Sequence, residues 1–282
     1  MLGKLMKYDM KYMSRILPWL YLAALVTAVL CAGFIMIAHE TVILSFAIVL
    51  LPSLCTFTTE AVVVLTVVFM IMRIYRSMFS DEGYLTFTLP VKCGSIVDSK
   101  ILTGAVWSFF AIVTAVLSII LPSFAAGVRN GSTGLADFLK VMLSAAYDTF
   151  ASSPVLSVIL VTVILLDTAS LSFIVPSLYT LCCTATHKAR KARAFASIGM
   201  FMGILYALSV LTVIVLIFVM ISAEVNEATS LYMNPFYSTD APYYDLMFAI
   251  RPLAVLFVMT APVTVISWTV SKRIVNKKLN ML

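Results

Sequence analysis

Six stretches of the chain are apolar almost without interruption: residues 16–38, 42–72, 101–124, 155–181, 195–222 and 250–270. At 1.5 Å per residue each approaches or exceeds a hydrocarbon core of about 30 Å, so each predicts a membrane-spanning helix. The run 42–72 is longer than the core requires, and it is interrupted by Pro52 and by a polar patch of Cys55, Thr56, Thr58, Thr59 and Glu60. It must tilt, kink near Pro52 or project beyond the bilayer. The third run is expected to end near Pro122, and the fourth carries Asp167 in its interior and Pro176 toward one end.

Two segments have helical rather than continuous apolar patterning. In residues 1–15, Leu2, Met6, Met10 and Met13 form one stripe and Lys4, Lys7, Lys11 and Arg15 another, which predicts an amphipathic helix on the membrane surface. A signal peptide is the competing reading, but the apolar run that follows is too long for one and lacks a small-residue cleavage site. After a Gly-rich start, residues 125–153 repeat the amphipathic pattern through Leu135, Phe138, Leu139, Met142, Leu143, Ala146 and Phe150, predicting a second surface helix on the opposite side. Residues 223–248 are acidic and aromatic, holding Glu224, Glu227, Asp240 and Asp245 with Tyr232, Phe236, Tyr237, Tyr243, Tyr244 and Phe248. They read as an outer loop with an interfacial aromatic belt, or as short re-entrant segments forming a gate.

Composition agrees with this pattern. Hydrophobic residues make up 62% of the chain, charged residues 11%, and the mean hydropathy is +1.07, whereas a soluble domain carries about 25% charge. The 282 residues accommodate six spans and short loops but no separate catalytic domain, so 1–282 reads as one all-α integral membrane domain. Of nineteen Lys and Arg residues only Arg129, Lys140 and Arg251 fall on one side; the others flank the spans on the opposite side. By the positive-inside rule both termini are cytoplasmic. The net charge of +6 therefore expresses topology and no affinity for nucleic acid.

The chain lacks a GxxxxGK[ST] phosphate loop and an HExxH motif, and its two histidines, His39 and His187, fall on opposite sides of the membrane. It is expected to be no enzyme, with no metal site and no cofactor of its own. Its five cysteines suggest no disulfide or zinc framework, and Cys182 and Cys183 read as small packing residues. Glu60 and Asp167 are the two carboxylates at span depth, with no Lys, Arg or His inside any predicted span, beyond Arg251 at the edge of the last, to neutralise them. Either each is protonated and bonded to nearby hydroxyls (Thr58 and Thr59 for one, Thr168 and Ser170 for the other), or they line a substrate path.

The remaining polar stretch, 73–100, is the one sizeable loop expected in the cytoplasm. Its ends are basic (Arg73, Arg76, Lys92, Lys100), its middle holds Asp81, Glu82 and Gly83, and Tyr84, Leu85, Phe87 and Leu89 follow before Pro90. Large apolar side chains in an aqueous loop call for a cover. An apolar patch rimmed by charge suits a socket on a soluble partner, and an anionic leaflet would repel Asp81 and Glu82.

The sequence Phe79-Ser-Asp-Glu-Gly-Tyr-Leu-Thr-Phe-Thr-Leu-Pro-Val91, followed by Ser99-Lys100 at the next span, resembles the first cytoplasmic loop of bacterial ATP-binding-cassette (ABC) transporter permeases of the type-two exporter group. The opening MLGKLMKYDMK resembles their amino-terminal surface helix. The segment 125–150 departs from that pattern. The resemblance implies a six-helix permease in the bacterial plasma membrane that pairs with a second permease chain. It further implies a coupling loop, comprising Phe79, Asp81, Glu82, Gly83, Tyr84, Leu85, Phe87 and Pro90, that docks on a separate ATPase subunit holding ATP and Mg. An ion-coupled carrier using Glu60 and Asp167, and a membrane scaffold or sensor without transport, are the alternatives.

Overall fold

The computed structural model describes residues 2–37, 42–79, 93–131, 154–186, 193–233 and 242–279, with positions 140, 147 and 151 between them. Their regular elements are helices: α1 (Leu2–Met13), α2 (Leu17–Ile37), α3 (Val42–Phe79), α4 (Cys93–Gly131), α5 (Pro154–Ala185), α6 (Arg193–Met233) and α7 (Pro242–Leu279). All but α1 contain a segment long and apolar enough to cross a membrane. The protein is an all-α multi-pass membrane protein.

The helices outrun the apolar stretches. α3 passes through Pro52 without a break and ends at Phe79, beyond the expected limit at 72. α4 passes through Pro122, where the apolar run was expected to stop, and continues to Gly131. Proline leaves the carbonyl four residues earlier without its helical donor, and in lipid that acceptor needs a substitute. Cys55 Sγ supplies one, lying 3.7 Å from Ser118 O. α6 and α7 likewise extend into 223–248, so the described parts of the expected outer loop, on either side of 234–241, are helix. Hydropathy reports where lipid is; backbone hydrogen bonding carries a helix onward until something stops it.

The chain divides into two compact units, Met1–Leu143 and Ser144–Leu282. In the first, α2 and α4 form the largest contact. They run parallel, since Tyr21 meets Trp107 while Ala28, Cys31 and Ile35 cluster with Ala125 further along both helices. α3 runs antiparallel to α2, pairing Thr27 with Thr58 at 3.3 Å and Tyr21 with Thr66 at 3.5 Å. α1 lies on α4.

In the second unit α5 and α7 are the main partners and again run parallel, with Ser170 against Thr260 at 2.8 Å and Phe173 stacked on Trp268 at 5.8 Å and 10°. α7 buries Thr260, Thr264, Ser267 and Ser271, spaced at helical intervals. Small side chains let two membrane helices approach closely, and each of these hydroxyls is satisfied by its own helix's carbonyls. Of the described side chains of α6 only Ser197 and Phe201 are buried, with Phe201 edge-on to Tyr179 at 5.6 Å.

Candidate functional site

The ends of the stretch 73–100 meet at one buried carboxylate. Asp9, on α1, is 2% exposed and Lys100, on α4, 6%. Arg73, near the end of α3, donates from Nη2 to Asp9 Oδ1 at 2.8 Å and from Nε to the same oxygen at 3.1 Å. Lys100 Nζ donates to the other oxygen, Oδ2. Arg73 also lies over the Tyr12 ring, 4.4 Å from its centroid. A small cavity beside the cluster is lined by Met13, Met70, Ile74, Thr103 and Gly104.

Each part follows from local sequence. Asp9 stands three residues after Met6 and four before Met13, so a helix puts it on the apolar stripe of α1. That stripe faces protein at Asp9 and Met13, both buried, while Leu2, Met6 and Met10 are half-buried. This corrects the expectation that the stripe as a whole rests on lipid. A carboxylate placed there loses water, and ionic hydrogen bonds must replace it. Arg73 and Lys100 lie one residue outside the apolar runs 42–72 and 101–124. At those positions both cations can reach inward while staying at the membrane boundary.

Sequence reasoning missed Asp9. The signal was present: an acid on the apolar face of an otherwise basic amphipathic helix, with basic residues at the edges of two spans.

Of the expected loop residues, Phe79 is the last residue of α3. Asp81, Glu82, Gly83, Tyr84, Leu85, Phe87 and Pro90 lie outside the described residues, as does HKARKA (187–192). Most of the expected surface helix within 125–153 also lies outside them.

The two span carboxylates are in different settings, and neither matches the hydroxyl-bonded expectation. Glu60 is exposed at the surface of the chain. Thr58 and Thr59 donate instead to the Cys55 carbonyl, both at 2.8 Å. Ser53 and Thr56 are exposed on the same helical face as Glu60, at intervals of three and four residues. Asp167 is 4% exposed, and neither carboxyl oxygen has a hydrogen-bond partner among the described residues. Thr168 donates to Leu165 O, while Ser170 contacts the main-chain oxygen of Asp167 and the Thr260 hydroxyl. Hydroxyls in a helix reach backbone carbonyls three or four residues back more readily than a carboxyl on a neighbouring turn.

Cys182 and Cys183 are fully buried, as packing residues should be, and none of the five cysteines is in a disulfide. Among the described residues no group of three or more His, Cys, Asp or Glu side chains is placed to hold a metal ion. Compared with family models, curated proteins and solved structures, the chain finds no match.

Proposed function

We propose that this chain is the membrane-spanning permease subunit of an ATP-driven ABC exporter in a bacterial plasma membrane, with ATP and Mg held by a separate ATPase subunit that docks on the loop between α3 and α4. The observation that carries the reading is the clamp at the base of that loop. Arg73 and Lys100 converge on Asp9, so the two helices that deliver the loop are tied together and to α1. A segment that transmits movement of a soluble partner into spans needs such a stiff base. A loop that merely connects two helices does not.

Two further observations support the reading. Ser53, Thr56 and Glu60 give α3 a polar exposed face at span depth, and such a face is costly against lipid and suited to a path or a protein neighbour. α6 exposes Gly199 and Gly203, four residues apart, and an added Cβ at either would meet nothing within 4 Å. That spacing is the one through which membrane helices pair, which favours a second permease chain.

The test is affinity purification of the chain from native membranes, with ATP hydrolysis measured in the eluate. An ATPase should accompany it. Replacing Tyr84, Leu85 and Phe87 together by Ala removes the proposed anchors, each worth at least about 2 kcal/mol if it is a hot spot. The ATPase should then be lost while membrane insertion persists, and Glu82→Lys should weaken capture by reversing a rim charge. Full capture by the triple variant overturns the docking role of the loop.

A further inference from the structure

α1 has two faces with different work. One is turned to protein through Asp9 and Met13, while on the other Lys4, Lys7 and Lys11 are exposed at intervals of three and four residues and Tyr8 is 73% exposed. Three residues, Ser14 to Ile16, separate α1 from the first span. The lysine row is therefore held at the level of the lipid headgroups. Three cations in a row at that depth, beside an exposed tyrosine, complement an anionic leaflet.

We infer that α1 is a lipid-charge sensor: anionic headgroups bind Lys4, Lys7 and Lys11, and Asp9, on the opposite side of the same helix, passes that binding to Arg73 and Lys100 at the two ends of the loop. The physical basis is linkage. Headgroups that favour α1 in its seated position also favour the seated position of Asp9, so they raise the population in which both loop ends are tied. Neutral lipid leaves Asp9 to hold α1 unaided. Asp9 acts here as a positioning residue. The inference rests on the docking reading for what the loop does, and on the cluster alone for how the loop is held.

Cys93, the first residue of α4 and two helical turns before Lys100, provides the probe, because it is partly exposed whereas Cys31, Cys55, Cys182 and Cys183 are buried. The full chain is placed in nanodiscs of phosphatidylcholine alone or with one part in about three of phosphatidylglycerol. The rate of maleimide addition at Cys93 is followed by peptide mass spectrometry. Wild type should react severalfold more slowly in the anionic discs. The variant with Lys4→Gln, Lys7→Gln and Lys11→Gln, all at exposed positions, should show no lipid dependence and react at the neutral-lipid rate. Asp9→Asn should react fast in both lipids, and Asp9→Glu should retain the dependence.

Equal wild-type rates in the two lipids overturn the inference, as does a lipid dependence that survives in the triple Gln variant or in Asp9→Asn. No ATPase enters the measurement. A lipid-dependent Cys93 in a chain that captures no ATPase would therefore sustain the sensor and remove the docking reading.

Discussion

The two units bury a carboxyl group in opposite ways. At the edge of the first, Asp9 is shielded but receives three hydrogen bonds from two cations. Inside the second, Asp167 is almost as well shielded, yet neither oxygen has a partner among the described residues. The difference follows from depth. Near the headgroups, long basic side chains can enter from the ends of neighbouring spans and replace the water that the carboxylate loses with ionic hydrogen bonds. At span depth no basic residue lies within reach by sequence, and the hydroxyls nearby are committed to backbone carbonyls. The first carboxylate is therefore a structural tie, while the second is a cost that the second unit carries.

Opposite signs of mutational effect would sharpen that contrast. The largest change is expected for Asp9→Ala, which leaves two cations without the carboxylate that accepts their bonds. Breaking a buried ion pair from one side typically costs about 3 to 5 kcal/mol, and thermal unfolding in detergent micelles should show a large drop in midpoint. A midpoint within a degree or two of wild type would show that the cluster holds nothing together. Asp167→Leu should go the other way. Replacing an unsatisfied buried polar group by an apolar one of similar size recovers about 1 to 3 kcal/mol, so the midpoint should stay level or rise. A marked fall would mean that Asp167 has a partner in the working protein, and the contrast between the units would collapse.

Smaller effects test the neutral contacts of each unit. Tyr21→Phe removes the hydroxyl that donates to Trp107 O at 2.9 Å and accepts from Thr66, at an expected cost of about 1 kcal/mol. Ser170→Ala breaks the α5–α7 hydroxyl contact with Thr260, and interhelical bonds in membranes average only about 0.6 kcal/mol. A double-mutant cycle with Thr260→Val would isolate that value. Glu60→Gln should leave thermal unfolding unchanged, since the carboxylate is exposed and Thr58 and Thr59 bond elsewhere. A loss of stability would contradict its exposed setting.

Much of the architecture was legible along the chain. Apolar runs at span length give six crossings because lipid imposes a length and a composition on whatever crosses it, and no tertiary information is needed to read that. The ends of the helices were not legible in the same way. Pro122 reads as an end along the chain because a proline without its donor usually marks one, but Cys55, sixty-three positions away, serves the freed carbonyl. The outer ends of α6 and α7 were missed for a related reason, since a helix outside the bilayer loses its apolar signature while keeping its hydrogen bonds.

The candidate site divides along the same line. The sequence by itself determined that Arg73 and Lys100 flank a polar stretch between two spans, that α1 is amphipathic, and that Glu60 and Asp167 sit at span depth. These are properties of spacing along one helix, where intervals of three and four residues set which side chains share a face. Only the tertiary structure decided that Asp9 collects both cations, because the partners lie 64 and 91 positions away and any of several basic residues could have been chosen. Tertiary structure alone likewise distinguished Glu60, exposed, from Asp167, enclosed. Depth in a membrane is written in the distance from the ends of a span, whereas the direction a residue faces depends on which helix packs against it.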